Sequence, residues 1–186
     1  MSKENISYIK YLPNKGNISL TNKIAQTYCD VFAGPPWNET FSKDEVVADM
    51  IKEISPKSSA WIAMDQDKVA GFTWGYPKRI SDLETKLGIS LNSPNLIVAY
   101  QSEIGLLSEY RGQRIAKNLV RLRNDDFLAQ NLEYSVVRTK QLPVPSVTFS
   151  WYTEKLGYDI IARYPKNDGR VILGRPLAGL KELLTR

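Results

Sequence analysis

Residues 103–116 read Glu103-Ile104-Gly105-Leu106-Leu107-Ser108-Glu109-Tyr110-Arg111-Gly112-Gln113-Arg114-Ile115-Ala116. An apolar strand-like segment gives way to a short polar turn, which runs directly into a helical pattern expected from about Arg114 to Gln130. At such a junction the first helical amides have no intrahelical acceptor and point outward, with the positive end of the macrodipole behind them. That arrangement attracts anions, phosphate above all. Arg114, Lys117 and Arg121 recur at i, i+3 and i+7 and are expected on one helix face, opposite a buried face of Ile115, Leu119 and Leu122. Basic side chains in a first turn oppose the dipole, so a neutralising anion relieves that repulsion.

Working upstream, the strand into this junction is predicted over Leu96–Leu107. Before it, Ala60–Met64 and Val69–Tyr76 flank the turn Asp65-Gln66-Asp67 and read as a β-hairpin. Ser42 followed three residues later by Glu45 is a capping box, and Val46, Val47, Met50, Ile51 and Ile54 supply the buried stripe of the helix it opens. Ser81 and Glu84 repeat the pattern ahead of a short helix stopped at Gly88. The chain opens with a strand at Ile6–Tyr11 and a helix carrying Ile24, Tyr28, Val31 and Phe32, capped by Ser19 or Thr21 and halted before Gly34-Pro35-Pro36. A loop with Asn92-Ser93-Pro94 precedes the central strand.

Downstream, a strand is expected at Tyr134–Thr139, then a helix capped by Ser146 and running through Leu156, with Gly157 as its terminator. Tyr158–Tyr164 and Val171–Leu173 complete the chain as strands joined by Lys166-Asn167-Asp168-Gly169. The order β-α-α-β-β-α-β-α-β-α-β-β calls for an α/β sandwich around one mixed sheet, and the length suits a single domain over residues 1–186.

Composition narrows the chemistry. The 186 residues include no histidine and one cysteine, Cys29, which excludes Ser-His-Asp and Cys-His hydrolases, histidine zinc sites and an internal disulfide, so no metal is expected. Any proton transfer falls to carboxylates, tyrosine, lysine, cysteine, backbone or water. Residues 1–110 carry 11 basic and 13 acidic side chains, residues 111–186 carry 14 and 7, so the basic half suits an anionic ligand or a solvated surface. It lacks the basic–aromatic interleaving of nucleic-acid modules, and nucleic acid is not an expected partner. No apolar run is long enough for a membrane helix and the first residues are polar, so no membrane partner and a cytoplasmic location are expected.

The junction also carries a resemblance. Tyr110-Arg111-Gly112-Gln113-Arg114-Ile115-Ala116 resembles the acetyl-CoA signature of the GNAT N-acetyltransferase superfamily, Arg/Gln-x-x-Gly-x-Gly/Ala, with Arg114 standing where the family has its central glycine. Trp151-Tyr152-Thr153-Glu154-Lys155-Leu156-Gly157-Tyr158 resembles the family's Tyr-x-x-x-Leu-Gly-Phe segment, and Phe32 to Glu39 resembles the junction of its first two helices. The resemblance covers nearly the whole chain. It implies a mixed, mostly antiparallel central sheet with a splayed strand pair and helices on both faces. It further implies acetyl-CoA as acetyl donor, backbone at Leu106 pairing with the pantetheine arm, and Arg111, Gly112, Gln113, Arg114, Ile115 and Ala116 at the diphosphate. A tyrosine protonates the leaving thiolate and a primary amine attacks directly. Many members place that tyrosine four residues before the glycine, which is Thr153 here, and Tyr152 lies one residue earlier. Homodimers are common in the family.

A primary amine of pKa about 10.4 is protonated at neutral pH, and freeing its lone pair costs about 4–5 kcal/mol, so a proton acceptor is needed. Glu103 is the first candidate, although strand alternation aims it opposite to Ile104 and Leu106; Glu39 and Glu109 are weaker alternatives, and the acid's usual place in the family holds Tyr100. Each residue also has a plain reading: Glu103 as a solvated strand residue, Tyr152 as a core aromatic, Trp37 as a hydrophobic plug rather than an acceptor contact. Trp74 and Tyr76 read as sheet core. The acceptor is expected to be a small-molecule or peptide amine. The competing function is a domain that binds acyl-CoA without turnover, which Arg114 suggests.

Overall fold

The computed structural model describes residues 6–35, 37–91, 96–164 and 169–185. Its strands are β1 (Ile6–Lys10), β2 (Ser59–Asp65), β3 (Lys68–Arg79), β4 (Ile97–Leu106), β5 (Tyr134–Lys140), β6 (Asp159–Arg163) and β7 (Arg170–Pro176). They hydrogen-bond in the order β1-β2-β3-β4-β5-β7-β6. The β4–β5 pair is parallel, while β1–β2, β2–β3, β5–β7 and β6–β7 are antiparallel, so the expected mixed, mostly antiparallel sheet is what forms. The helices are α1 (Ile18–Phe32), α2 (Lys43–Glu53), α3 (Ile80–Leu87), α4 (Ile115–Ala129), α5 (Val147–Ser150) and α6 (Leu180–Thr185). No helix among the described residues is long and apolar enough to cross a membrane. Contacts divide the chain into two units: residues up to Tyr76 together with Glu103–Arg123, and Pro77–Ser102 together with Asn124 onward.

In the first unit the two faces of β2 separate cleanly. Ala60, Ile62 and Met64 join Ile24, Phe32, Val46, Met50, Phe72 and Trp74 beneath α1 and α2, whereas Ala63 joins Ala70, Ile115 and Leu119 beneath α4. A register shift at Ala63/Met64 leaves Ala70 as the extra residue of β3, so that Val69 and Phe72, three apart, serve the same face. Helices thus cover both faces of this part of the sheet. β3 and β4 approach closely: a Cβ on Gly105 would overlap the Phe72 ring, and one on Gly71 would meet Gly105 O at 2.7 Å.

The Ser42–Glu45 box forms as expected. The Ser42 hydroxyl accepts from Glu45 N at 3.3 Å, and Glu45 Oε2 accepts from Ser42 N at 2.8 Å. The Ser42 amide holds the Glu45 carboxyl below its usual pKa. That sign means the cap works at neutral pH and fades as pH falls through the lowered value. Ser42→Ala is expected to lower unfolding stability by about 1 kcal/mol, read from chemical denaturation. An unchanged midpoint refutes the cap.

Other expectations need correction. α1 is entered through a 3-10 turn, Lys15–Asn17, capped by Asn14; neither Ser19 nor Thr21 caps it, and Thr21 instead bonds the Tyr11 hydroxyl at 2.6 Å. Ile51 is 62 % exposed, because Val46, Met50 and Ile54 already complete the buried face of α2. Ser81 lies inside α3, whose N-cap is Arg79, and Glu84 caps Leu91 N at 2.6 Å in place of the helix start. The Lys166–Asp168 part of the last turn, the Asn92–Pro94 loop and Pro36 lie outside the described residues.

In the second unit β5 and β7 pair over seven positions, and β6 flanks β7. Ser146 caps α5 through Phe149 N at 3.0 Å, but the helix runs only to Ser150 before a wider π turn, Trp151–Lys155. Gly157 follows at φ 64°. α6, with Leu180 and Leu184 buried, was not anticipated: six residues show too little periodicity to be read.

Candidate active site

The junction after β4 begins with a 3-10 turn, Ser108–Tyr110, whose Tyr110 ring is buried with Ile115 and Leu119. Gly112 then takes φ 79° and Arg114 φ 64°, and α4 starts at Ile115. Its first intrahelical bond runs from Asn118 N to Arg114 O at 3.1 Å, so the amides of Ile115, Ala116 and Lys117 precede the helical ladder. Left-handed residues next to a helix start turn successive N–H groups into a concavity that suits an anion. A Cβ built on Gly112 would meet nothing within 4 Å, so this residue stands in open space.

Arg114 therefore stands before the helix, not in its first turn, and the expected helical face of Arg114, Lys117 and Arg121 loses its first member. A left-handed dihedral is one that glycine adopts freely, and here an arginine adopts it at a cost of roughly 1–2 kcal/mol. Arg114→Gly is expected to raise stability by about 1 kcal/mol and to preserve or improve affinity for CoA. Denaturation and calorimetric titration with CoA test the two parts. A large loss of affinity would instead make the guanidinium a phosphate ligand.

On the other face of the same unit, β4 carries Glu103 to a small pocket open to solvent, lined also by Tyr28, Phe41, Val46, Asp49, Glu53 and Trp74. Alternation along β4 is kept, since Leu106 packs with the Tyr110–Ile115 cluster beneath α4 while Glu103 faces the side of α1 and α2. Val46, Asp49 and Glu53 sit at i, i+3 and i+7 of α2, so one helix face ends the core and begins the pocket wall. Glu53 is held in place, accepting from Trp74 Nε1 at 3.0 Å and Tyr76 OH at 3.2 Å. Tyr28 stacks on Trp74 with centroids 5.9 Å apart and meets Phe41 edge-on at 5.3 Å. Carboxylates and ring faces in one pocket favour an organic cation. Among the described residues no group of three or more metal-ligating side chains is placed to hold a metal ion.

Trp37 packs on Phe32 at 5.9 Å, and Phe32 meets the pocket residue Phe41 at 6.3 Å, so Trp37 backs the aromatic wall. Glu109 is exposed and pairs with Lys68 at 2.7 Å; hydrogen bonding to that ammonium lowers its pKa and weakens it as a base. Glu39 lies in the chain after α1, its amide bonded to Phe32 O at 3.0 Å. Asp49, Glu53, Tyr28 and Phe41 escaped the sequence reading. Their one signal is carboxylates bordering the α2 apolar stripe, which is the common pattern of a surface helix.

In the second unit Tyr152 is fully buried in the π turn and donates to Gln101 Oε1 at 2.7 Å. Gln101 Nε2 donates to Tyr158 OH at 2.8 Å, to Asn124 Oδ1 at 3.2 Å and to Ser135 Oγ. Thr153 turns its hydroxyl back onto Phe149 O at 2.9 Å. Registered β4–β5 pairing comprises Ala99↔Ser135, Tyr100↔Val136 and Gln101↔Val137, while β4 itself runs on to Leu106.

No protein-family model and no curated protein sequence matches the chain. Solved structures do. A Pyrococcus horikoshii OT3 protein superposes with TM-score 0.68 at 16% identity, covering 92% of this chain and 98% of its own. An acetyltransferase of the GNAT family from Staphylococcus aureus Mu50 gives 0.64 at 14%, covering 92% and 99%. An aminoglycoside 6'-N-acetyltransferase complexed with coenzyme A gives 0.62 at 16%, covering 91% and 97%. The chain has the GNAT fold.

Proposed function

We propose that this protein is an N-acyltransferase that moves an acetyl group from acetyl-CoA to a primary amine by direct attack. The observation that carries the reading is the course of β4. One strand carries Glu103 to an acidic, aromatic pocket and then leads, without interruption, into a turn with two positive-φ residues at the start of α4. Acetyl-CoA supplies an activated thioester carbonyl. For its diphosphate the chain offers the backbone from Gly112 to Ala116, with the Arg111 and Arg114 side chains beside it, and the Leu106 backbone is assigned to the pantetheine arm. The fit rests on the two positive-φ residues and the amides that precede the ladder of α4.

The chain's own residues then divide the work on the acceptor. Asp49 and Glu53 draw an ammonium toward the rings of Tyr28, Phe41 and Trp74, with Trp37 supporting the wall. Glu103 accepts the proton that the amine must lose, and the departing thiolate takes one from solvent unless the Tyr152 phenol, which the Tyr152→Phe variant tests, supplies it. A positioned base contributes roughly 10²–10⁴-fold, which suits a carboxylate in a chain without imidazole. The acceptor class is an amine with an apolar or aromatic body and a cationic head, small molecule or peptide.

Thiol release from acetyl-CoA, measured with aryl-alkyl amines, polyamines and peptide amines, tests the proposal. Release that saturates with one class and not with neutral amides is expected. The strain at Arg114 favours one second reading, a domain that binds acyl-CoA without turnover. Tight CoA binding with no release for any amine would replace the enzyme by that reading.

A further inference from the structure

Position 123 breaks the rule that its helix otherwise follows. Leu119, Val120 and Phe127 of α4 are fully buried, and periodicity calls for an apolar side chain between them; Arg123 stands there, itself 0 % exposed. Burying a guanidinium costs several kcal/mol before its contacts are counted, so packing alone does not explain it. Its contacts are specific. Arg123 NH1 donates to Glu103 O at 3.0 Å, to Trp74 O at 3.3 Å and to the Thr73 hydroxyl. Thr73 Oγ1 in turn donates to Glu103 O at 2.9 Å. One guanidinium nitrogen thus bridges the main chains of β3 and β4, at the two strand residues that line the pocket, Trp74 and Glu103.

We infer that Arg123, with Thr73, is a positioning residue that fixes Glu103 opposite the Trp74 ring, so that the carboxylate meets the amine held in the aromatic pocket. The inference rests on the proposed acyl transfer at that pocket. Thr73 orients the guanidinium and shares its acceptor, and Arg123 carries the link from the body of α4 to the strand pair. A lysine retains the charge and its donors at this place but not the rigid guanidinium plane that holds them on these acceptors.

The test compares Arg123→Met, Arg123→Lys and Thr73→Val with wild type in the full chain. In Arg123→Met, kcat is expected to fall about 10²-fold while CoA affinity stays within about twofold, since a displacement near 1 Å at the reacting groups has that effect. Arg123→Lys and Thr73→Val are expected to lie between, and hydrogen exchange is expected to quicken at the Trp74 and Glu103–Gly105 amides while β1 and β2 keep wild-type protection. If Arg123→Met fails to fold, the lysine and valine variants decide by the same readouts. A wild-type kcat and pH profile in all soluble variants, or a uniform rise of exchange across the unit, overturns the inference. If wild type itself turns over no amine, the acyltransfer reading fails separately, and local against uniform exchange still decides whether Arg123 sets the geometry of Glu103.

Discussion

Glu103→Gln is expected to lower kcat for a lysine-like amine by on the order of 10²–10³-fold while leaving CoA affinity unchanged. The side chain keeps its shape and loses only the ability to take a proton. At neutral pH the amine must then release its proton to water, against about 4–5 kcal/mol, before it attacks. The variant's rate should therefore climb tenfold per pH unit up to the amine's own pKa, whereas wild type levels off earlier. An acceptor whose amine has a pKa near 8, such as a peptide α-amine, should show a much smaller defect. The control is Glu109→Gln: that carboxylate is exposed, tied to Lys68 and lowered in pKa, so its loss should leave the pH–rate profile in place. Equal rates for Glu103→Gln and wild type across pH remove Glu103 from the chemistry.

Tyr152→Phe is the second large effect. Two consequences are expected, and they separate. The phenol is fully buried and donates to Gln101 Oε1 at 2.7 Å, so its removal takes one donor from a buried amide and should cost about 1–3 kcal/mol of stability. If Tyr152 also returns the proton to the sulfur, kcat falls far more than KM rises. Tyr158→Phe provides the comparison, because Tyr158 belongs to the same network, bonded to Gln101 Nε2 at 2.8 Å and to Ser135 Oγ at 2.8 Å. Matching stability losses with a rate defect confined to Tyr152→Phe support the proton donor. Matching rates in the two variants leave Tyr152 as a lock on Gln101 and end its catalytic role.

Much of this arrangement was readable along the chain because its causes are local. Ser42 and Glu45 are three residues apart, so their cap needs nothing beyond one helical turn. The Asp65–Asp67 turn, the stop at Gly88 and the positive φ of Gly157 follow from the residue at the position itself, in the last two from glycine's lack of a Cβ. The junction at residues 108–116 is likewise a run of neighbours. Its departure from local reading lies at Arg114, where arginine's ordinary preference for helix lost to the path required to start α4 one residue later. Ser81 shows the limit of a short pattern, since Glu84 found a better acceptor role at Leu91 N than at its own helix start.

From residue order alone came the mixed sheet, the strand–turn–helix junction after β4, the exclusion of imidazole chemistry and the placing of Glu103 on the strand ahead of that junction: each depends on periods of two and 3.6 residues or on composition. What gathers around Glu103 did not. Asp49 and Glu53 come from α2, Tyr28 from α1, Trp74 from β3 and Arg123 from α4, and no spacing in the chain relates them. They meet because antiparallel pairing and helix packing bring distant residues within a few ångströms, and that selection is made by burial of whole faces rather than by any single residue's preference.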